Sequence, residues 1–250
     1  RGEPVRYEIT LEPSRLAVLP LLEASAQMPQ IDGYRATLRD NLLWTTDRPV
    51  VEPLHFQTSA HTDFRYGPLR ATTALQADTA LPAGYNPRTL AWAAALRREP
   101  RLAQADARDL AEAVLAHIRS AGFSYTMAPG LYGEDNPRAA IDEFWLDGKL
   151  GFCEHFAAAF VVIMRAMNVP ARVVTGYQGA DPLQADGTTV VRQNSAHAWG
   201  EYWQKGVGWV RADPTAAVAP ERILRSRNLA APRGLVAGAL DGMSPALLAR

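Results

Sequence analysis

One segment of the chain is too apolar to lie on a protein surface, and it limits the folds that the rest can adopt. Within Cys153–Met167, apolar side chains recur at helical spacing and form a wide face: Phe156, Phe160, Ile163, Met164 and Met167. The uninterrupted apolar run from Phe156 to Met164 has nine residues, against the ~20 that span a bilayer. The segment therefore predicts a helix buried at the centre of a globular core.

The residues before this helix predict a small β-module. Val5–Leu11 alternates apolar and polar side chains with the two-residue period of a half-buried strand, and the pattern continues in Tyr34–Leu38 and Leu54–Thr58. Turn-forming residues separate these segments. We predict a β-rich N-terminal module over residues 1–84, which ends in a spacer rich in proline and glycine and holds no residues that indicate chemistry.

The residues from 85 onward predict helices, then the central helix, then strands. Pro87 suits the first position of a helix that ends at Arg98, and Asp106 suits the N-cap of a helix that ends at Ser120. Strand patterns return after the central helix: Arg172–Gln178, Thr188–Gln193, Ala196–Trp203 and Trp209–Ala212.

Together these patterns predict the α+β class, with a central helix that bears the cysteine packed on an antiparallel sheet. We expect this core over residues 85–225, preceded by the β-module. Residues 226–250 are expected to form a C-terminal extension or linker.

The charge of the chain excludes one class of partner. The 250 residues include 26 basic and 26 acidic side chains, so the formal net charge is zero. Because binding to nucleic acid needs a basic excess, we predict no nucleic-acid partner. The one cysteine, Cys153, excludes an intrachain disulfide and a cysteine-rich zinc site, and we predict no metal and no other cofactor.

Cys153 stands at the start of the central helix. Unpaired backbone N–H groups and the positive end of the helix dipole stabilise a thiolate at such a position. Cys153 is therefore a candidate nucleophile, although a lone cysteine also fits as a small buried apolar side chain.

A thiolate nucleophile needs a base, and the base needs a third group to orient it. His197 begins one predicted strand and Asp213 ends the next, so antiparallel pairing can place the carboxylate beside the imidazole. Asp213 followed by proline is also a common turn start. The order along the chain, a cysteine on a helix and then histidine and aspartate on adjacent strands, favours Cys153, His197 and Asp213 as a catalytic triad.

Other residues near these three have two interpretations each. Trp145 and Trp199 can form walls that exclude water from the site, or they can serve only as packing. Glu154 can bind an amine acceptor, but a first-turn acid that complements the helix dipole is favoured. Arg211 can anchor a substrate carboxylate, but a strand-surface charge is favoured. His155 adds no metal site, because no further cysteine or histidine spacing supports one.

Four motifs resemble the bacterial, membrane-anchored branch of the transglutaminase-like, papain-related superfamily. They are Gly151–Ala157 (GFCEHFA), Pro170–Tyr177 (PARVVTGY), Ala196–Trp199 (AHAW) and Trp209–Thr215 (WVRADPT). The resemblance covers residues 85–225 clearly and the β-module more loosely. It implies a papain-like core in which Cys153 is the nucleophile, His197 the base and Asp213 its orienting acid.

The resemblance also implies a second oxyanion donor and a cellular setting. Relatives often use the indole N–H of an upstream tryptophan, here Trp145, and Tyr125 or Tyr132 are the alternatives. The domain is expected in the periplasm as part of a bacterial inner-membrane protein. Its membrane helices lie outside this chain, and one of them is expected beyond residues 226–250.

The implied reaction is that of a protein-glutamine γ-glutamyltransferase, which forms a thioester on the cysteine and transfers the acyl group to a primary amine. Donors are glutamine side chains of proteins or peptides, and cell-wall components are among the expected partners. With water as acceptor, the same triad makes a thiol hydrolase: a cysteine protease, an amidase or a deamidase. A non-catalytic binding module is a third alternative, which the complete triad disfavours.

Overall fold

The computed structural model describes residues 3–25 and 27–220 and divides the chain into two compact units, residues 1–65 and residues 66–250. Each unit has its own hydrophobic core. The observed division differs from the predicted one after residue 84. The predicted C-terminal extension, residues 226–250, lies outside the described residues.

Residues 66–84 belong to the second unit because its sheet and central helix hold them. The indole N–H of Trp203 donates to the Pro68 carbonyl at 2.6 Å. Arg165 Nη1 donates to the Ala80 carbonyl at 3.0 Å. The spacer rich in proline and glycine is therefore a loop within the second unit.

Short antiparallel strands build the first unit. β1 (Val5–Leu11) pairs with β5 (Leu54–Ala60), and a second sheet has the order β2 (Val18–Leu19), β4 (Trp44–Thr46), β3 (Ala36–Leu38). Buried and more exposed residues alternate along β5, as its two-residue period predicted. The core between the sheets consists of Leu19, Ile31, Tyr34, Trp44, Val50, Leu54 and Phe56.

Helices precede the main sheet of the second unit. In chain order the elements are α1 (Thr73–Ala77), α2 (Pro87–Arg98), α3 (Ala107–Ser120), β6 (Ser124–Tyr125), a 3₁₀ turn (Pro137–Ala139), α4 (Ala140–Asp142), a π-helix (Glu143–Gly148), β7 (Leu150–Gly151) and α5 (Cys153–Ala166). The chain continues with β8 (Ala171–Tyr177), a 3₁₀ turn (Gln193–Ser195), β9 (Ala196–Gln204), β10 (Gly208–Ala212) and α6 (Pro214–Val218).

The predicted helix starts are confirmed, and side chains satisfy their free backbone N–H groups. α2 begins at Pro87, where the buried carboxylate of Asp142 accepts the N–H of Arg88 at 3.1 Å and of Thr89 at 2.7 Å. α3 begins after Asp106, whose side chain accepts the backbone N–H of Asp109 at 3.0 Å.

The central helix packs across an antiparallel sheet of order β10-β9-β8. Nearly every residue of β9 is buried, because α5 and neighbouring loops cover the strand. Phe160 of α5 lies over Gly200 of β9, in the space that a side chain at position 200 would occupy. The α+β prediction, with the cysteine-bearing helix on an antiparallel sheet, is confirmed.

The predicted strand Thr188–Gln193 is wrong. This segment belongs to a loop whose backbone closes on itself, since Asp181 N donates to the Val190 carbonyl at 2.8 Å and Gln184 N donates to the Thr188 carbonyl at 2.8 Å. Val190 and Val191, which produced the strand pattern, are exposed. A local β-like composition without a neighbouring sheet edge does not make a strand.

We expect Gly200→Ala to destabilise the second unit. A Cβ at position 200 would lie 2.7 Å from Phe160 Cδ1, and overpacking of this kind costs about 1–3 kcal/mol. Denaturant unfolding measures the loss. The double variant Gly200→Ala with Phe160→Leu serves as its control, because a smaller residue 160 makes room. A Gly200→Ala midpoint equal to that of the unchanged protein would contradict the packing described.

Candidate active site

The segment that leads into Cys153 is held by pairing between two short strands. β6 and β7 pair in parallel with Tyr125 opposite Gly151, and Thr126 N donates to the Gly151 carbonyl at 2.8 Å. A Cβ on Gly151 would lie 2.7 Å from Phe144 Cε2 and 2.9 Å from His155 Cβ. Only glycine fits this position, so the turn that precedes the cysteine is tightly packed.

Cys153 is the first residue of α5 and is 8% exposed. Its side chain belongs to a small buried cluster with Phe152, Ala157 and Ala198, which we call the Cys153 cluster. Because Cys153 is in the first turn, its backbone N–H has no acceptor within the helix and can donate to a ligand.

His197 and Asp213 are joined by a direct hydrogen bond. Antiparallel pairing of β9 and β10 places Ala212 opposite Gly200, and His197 Nε2 lies 2.8 Å from Asp213 Oδ2. The other carboxylate oxygen, Asp213 Oδ1, accepts the backbone N–H of Thr215 at 3.1 Å and caps α6. Asp213 therefore both starts the turn and contacts the imidazole, so the two interpretations of its sequence hold together.

Hydrogen bonds and charges hold a proton on His197. Burial lowers the pKa of the imidazole, but the hydrogen bonds to Asp213 and Cys153 and the negative charges of both groups outweigh it, and the pKa rises to about 9. His197 is thus an imidazolium at neutral pH. With Nε2 directed at Asp213, the remaining ring nitrogen, Nδ1, is the one available to Cys153.

Trp199 and Arg211 form a stack on the imidazole. The Trp199 ring is 6.1 Å from the His197 ring with 23° between their planes, and Arg211 Cζ lies 4.1 Å from the Trp199 centroid. Arg211 Nη2 is also 3.6 Å from Asp213 Oδ2. Trp199 is thus beside the predicted triad, and Arg211 is more than a strand-surface charge because it contacts both Trp199 and Asp213.

Trp145 is not brought to the site. Its ring packs among Trp92, His117 and Phe123, at centroid distances of 5.1, 5.3 and 4.8 Å, in the core between α2, α3 and α5. The predicted role of Trp145 as an oxyanion donor is therefore not supported by its placement. The helix that carries it turns Phe144, and not Trp145, towards His155.

The two neighbours of Cys153 on α5 have different surroundings. Burial lowers the pKa of His155 to about 4, so its ring is neutral, and its Nδ1 accepts the backbone N–H of Phe152 at 3.4 Å. Burial raises the pKa of Glu154. His155 thus supports the start of α5 and does not act as a proton donor at neutral pH.

A buried ion pair that the sequence analysis missed joins β8 to β9. Arg172 Nε and Nη2 donate to Glu201 Oε2 at 2.9 and 2.8 Å, and Tyr66 donates to the same carboxylate. Burial and the Glu201 charge raise the pKa of Tyr66. The pairing depends on register, which places Arg172 opposite Glu201. The strand patterns alone therefore could not reveal it.

Among residues 3–25 and 27–220, no cluster of three or more histidine, cysteine, aspartate or glutamate side chains is placed to bind a metal ion. Over the same residues, every helix is too short or too polar to cross a bilayer.

The site thus combines a cysteine at a helix start, a histidine on β9 and an aspartate directly after the neighbouring antiparallel strand β10. The family model of the transglutaminase-like superfamily matches residues 91–214, which include all three side chains. The chain belongs to the transglutaminase-like superfamily.

Proteins of Pseudomonas aeruginosa are among its relatives. A curated protein-glutamine gamma-glutamyltransferase is 37% identical over 224 residues, which are 89% of this chain and 32% of that protein. Two solved structures of the TgpA periplasmic domain, one bound to ethylmercury, are 34% identical to this chain and cover 89% of it. The chain covers 76% of the ethylmercury-bound structure (TM-score 0.77) and 73% of the other (TM-score 0.78). The predicted papain-related, transglutaminase-like fold is confirmed, and these relatives identify the domain as TgpA-type.

We expect the His197 ring to titrate near pH 9. Asp213→Asn should lower that pKa, because the variant removes a negative charge that stabilises the imidazolium. The shift of the imidazole C2–H resonance with pH, assigned with His197→Gln, measures both values. Arg35→Gln, in the first unit, is the control. Equal pKa values in the unchanged protein and Asp213→Asn would contradict the electrostatic role of Asp213.

Proposed function

We propose that this chain is a transglutaminase that transfers the γ-acyl group of glutamine to a primary amine through a thioester on Cys153. The observation that carries the proposal is the hydrogen-bonded chain from Cys153 through His197 to Asp213 at the start of a buried helix. The relative named protein-glutamine gamma-glutamyltransferase supports the choice of reaction.

Acylation begins with an imidazolium and a thiolate. Cys153 Sγ attacks the carboxamide carbon of glutamine and forms a C–S bond, while the carbonyl oxygen becomes an oxyanion. The backbone N–H of Cys153 donates to that oxyanion. When the tetrahedral intermediate collapses, the C–N bond breaks, and His197 gives its proton to the departing nitrogen, which leaves as ammonia.

Deacylation uses His197 in the opposite sense. The neutral imidazole takes a proton from the incoming amine as its nitrogen attacks the thioester, the C–S bond breaks, and the thiolate and imidazolium are restored. Asp213 holds the ring through Nε2, as the orienting acid of a triad does. Trp199 and Arg211 keep the imidazole plane in place.

The setting and the partners are part of the proposal. The TgpA relatives are periplasmic domains, and we propose a periplasmic location at the inner membrane, with anchoring by segments outside this chain. Glutamine side chains of proteins or peptides are the proposed donors, and primary amines, including those of cell-wall components, are the proposed acceptors. The chain spans about a third of the curated relative's length, so these assignments concern the longer protein.

The chain itself is a poor acceptor, which suits an enzyme that makes amine linkages. Lys149 and Lys205 are its only lysines. The Lys149 ammonium is engaged within the chain, because it donates to the Ala121 carbonyl at 3.1 Å and lies 5.8 Å from the Phe123 ring centroid. Arginine, the residue used elsewhere for positive charge, stays protonated and does not attack a thioester.

We expect the protein to incorporate a labelled primary amine into a glutamine peptide and Cys153→Ala to abolish the incorporation, because no other thiol is present. Ethylmercury, found in a structure of the TgpA relative, should inhibit at one equivalent by binding Cys153. Lys205→Arg is the matched control, since this exposed turn residue lies outside the site. Ammonia release without amine incorporation would identify a hydrolase or deamidase, and no activity in the unchanged protein would contradict the catalytic assignment.

Acylation should decline as pH rises through about 9, because the protonated form of His197 is the acid that releases ammonia. Below that pH the imidazolium is present, and above it the neutral ring cannot donate. The pH profile of kcat/KM for the glutamine donor, with the amine saturating, measures this limb. In Asp213→Asn the fall of kcat/KM should occur at lower pH, and the rate should also be lower. A fall at the same pH as in the unchanged protein would show that a group other than His197 causes it.

A further inference from the structure

The sheet that carries the site has an outer edge on β8. Its strand order is β10-β9-β8, so β8 has a strand neighbour on one side only. On the opposite edge of the sheet, the N–H of Trp209 in β10 donates to the Tyr66 carbonyl at 3.0 Å. The state of the β8 edge depends on which of its backbone groups point outward and what they meet.

Two hydrogen bonds to β9 and its flanking residues fix the direction of the β8 backbone groups. Trp203 N donates to the Pro170 carbonyl at 2.8 Å, and Gln178 N donates to the Ser195 carbonyl at 2.9 Å. In an antiparallel ladder every second residue bonds to the same neighbour, so the even-numbered residues of β8 face β9. The odd-numbered residues direct their N–H and C=O groups to the outer edge, and they are Ala171, Val173, Thr175 and Tyr177.

The outer edge is closed at its first residue. Ala171 N donates to the Asp78 carbonyl at 3.0 Å. The Ala171 carbonyl accepts Arg165 Nε at 2.7 Å. These contacts join the start of β8 to the segment between α1 and α2 and to α5.

The rest of the edge is open. Within the part of the chain that the structure describes, no group is hydrogen-bonded to the outward backbone of Val173, Thr175 or Tyr177. Thr175 and Tyr177 are also exposed. Sheets commonly protect such an edge with charged residues, proline or a bulge, and none of these residues is charged or proline. The open edge can therefore pair with another extended chain.

This open part of the edge lies beside the catalytic residues. The register places Gly176 opposite His197 and Thr175 opposite Ala198, and Ala198 belongs to the Cys153 cluster. Directly opposite residues of an antiparallel pair share a face of the sheet. Thr175 is thus on the face on which Cys153 packs.

A strand added to this edge would present a side chain to the site. Neighbouring strands lie about 4.8 Å apart, and residues opposite Val173 and Thr175 would direct their side chains to the face that carries the Cys153 cluster. An extended peptide of any sequence can satisfy unpaired N–H and C=O groups with its own backbone. A glutamine at one of those positions would therefore be directed towards Cys153.

We propose that the open edge of β8, residues 173–177, binds the glutamine donor as an added β-strand. This inference rests on the proposed acyl transfer by Cys153 and states how a protein donor is recognised. The enzyme binds the extended backbone around the glutamine, and the glutamine side chain lies on the α5 face of the sheet. Helical donors and donors rich in proline do not fit, because they lack free backbone N–H groups.

Amide hydrogen exchange in Cys153→Ala tests the pairing, since this variant binds the donor without consuming it. The probe is an octapeptide with one central glutamine, at ten times its dissociation constant. It should slow exchange of the Val173, Thr175 and Tyr177 amides about tenfold and leave that of Val174 unchanged, because Val174 already bonds to β9. Uniform slowing, or none, would overturn the proposal. Protection before peptide is added would show that another segment or a second copy of the chain occupies the edge, and would also overturn it.

Thr175→Pro tests the same edge through activity. Proline removes the outward N–H, and an outward position on an edge strand tolerates it. KM for the octapeptide should rise about 2- to 10-fold for each hydrogen bond lost, and kcat should fall less. A fall in kcat with unchanged KM would show a disturbed triad and would overturn the proposal. If Thr175→Pro does not fold, the exchange measurement decides.

The matched control is a proline in an exposed turn, Ala185→Pro. In that turn Gly187 N donates to the Gln184 carbonyl at 3.0 Å, and Ala185 takes the second position, which suits proline. KM for the octapeptide should stay the same in this variant. An equal rise of KM in Ala185→Pro and Thr175→Pro would contradict a specific role of the β8 edge.

Failure of this inference differs from failure of the proposed function. If the unchanged protein incorporates amine into the octapeptide while the odd-numbered amides of Cys153→Ala stay unprotected, the inference is overturned and the reaction stands. If those amides are protected but the unchanged protein only releases ammonia, or does not act on the octapeptide, the transferase assignment fails and the edge stands as a peptide site.

Discussion

The site depends on the packing of α5 across β9. This contact is possible because Gly200 has no side chain and Phe160 occupies the space above it. It places the first turn of the helix, with its free N–H groups, beside the strand that carries His197. β10 then brings Asp213 to the same end of the sheet. The three side chains are far apart in sequence. They meet because α5 packs on β9, β9 pairs with β10, and the turn after β10 carries Asp213.

Much of this could be predicted from local patterns. The wide apolar face of Cys153–Met167 predicted a central helix, and Pro87 and Asp106 marked helix starts that the structure confirms. The order of Cys153, His197 and Asp213 predicted a juxtaposition that the structure shows. These signals are local or involve neighbouring strands, so periodicity and capping are sufficient to read them.

Other features depend on distant contacts and escaped prediction. Trp145 was near Cys153 in sequence, but the π-helix that holds it directs its ring to α2 and α3. Val190 and Val191 had the composition of a strand without a sheet edge to join. The pairing of Arg172 with Glu201 follows from the register of β8 and β9, which no single segment encodes.

The contacts of residues 66–84 determine where the second unit can be shortened. A shorter chain that started at residue 85 would leave the Arg172–Glu201 ion pair without the Tyr66 hydroxyl and the Trp203 indole N–H without the Pro68 carbonyl. Buried polar groups that lose their partners are costly. A shortened form of the second unit therefore has to start no later than Tyr66, because residues 66–84 supply these hydrogen-bond partners to the strand that carries Glu201 and Trp203.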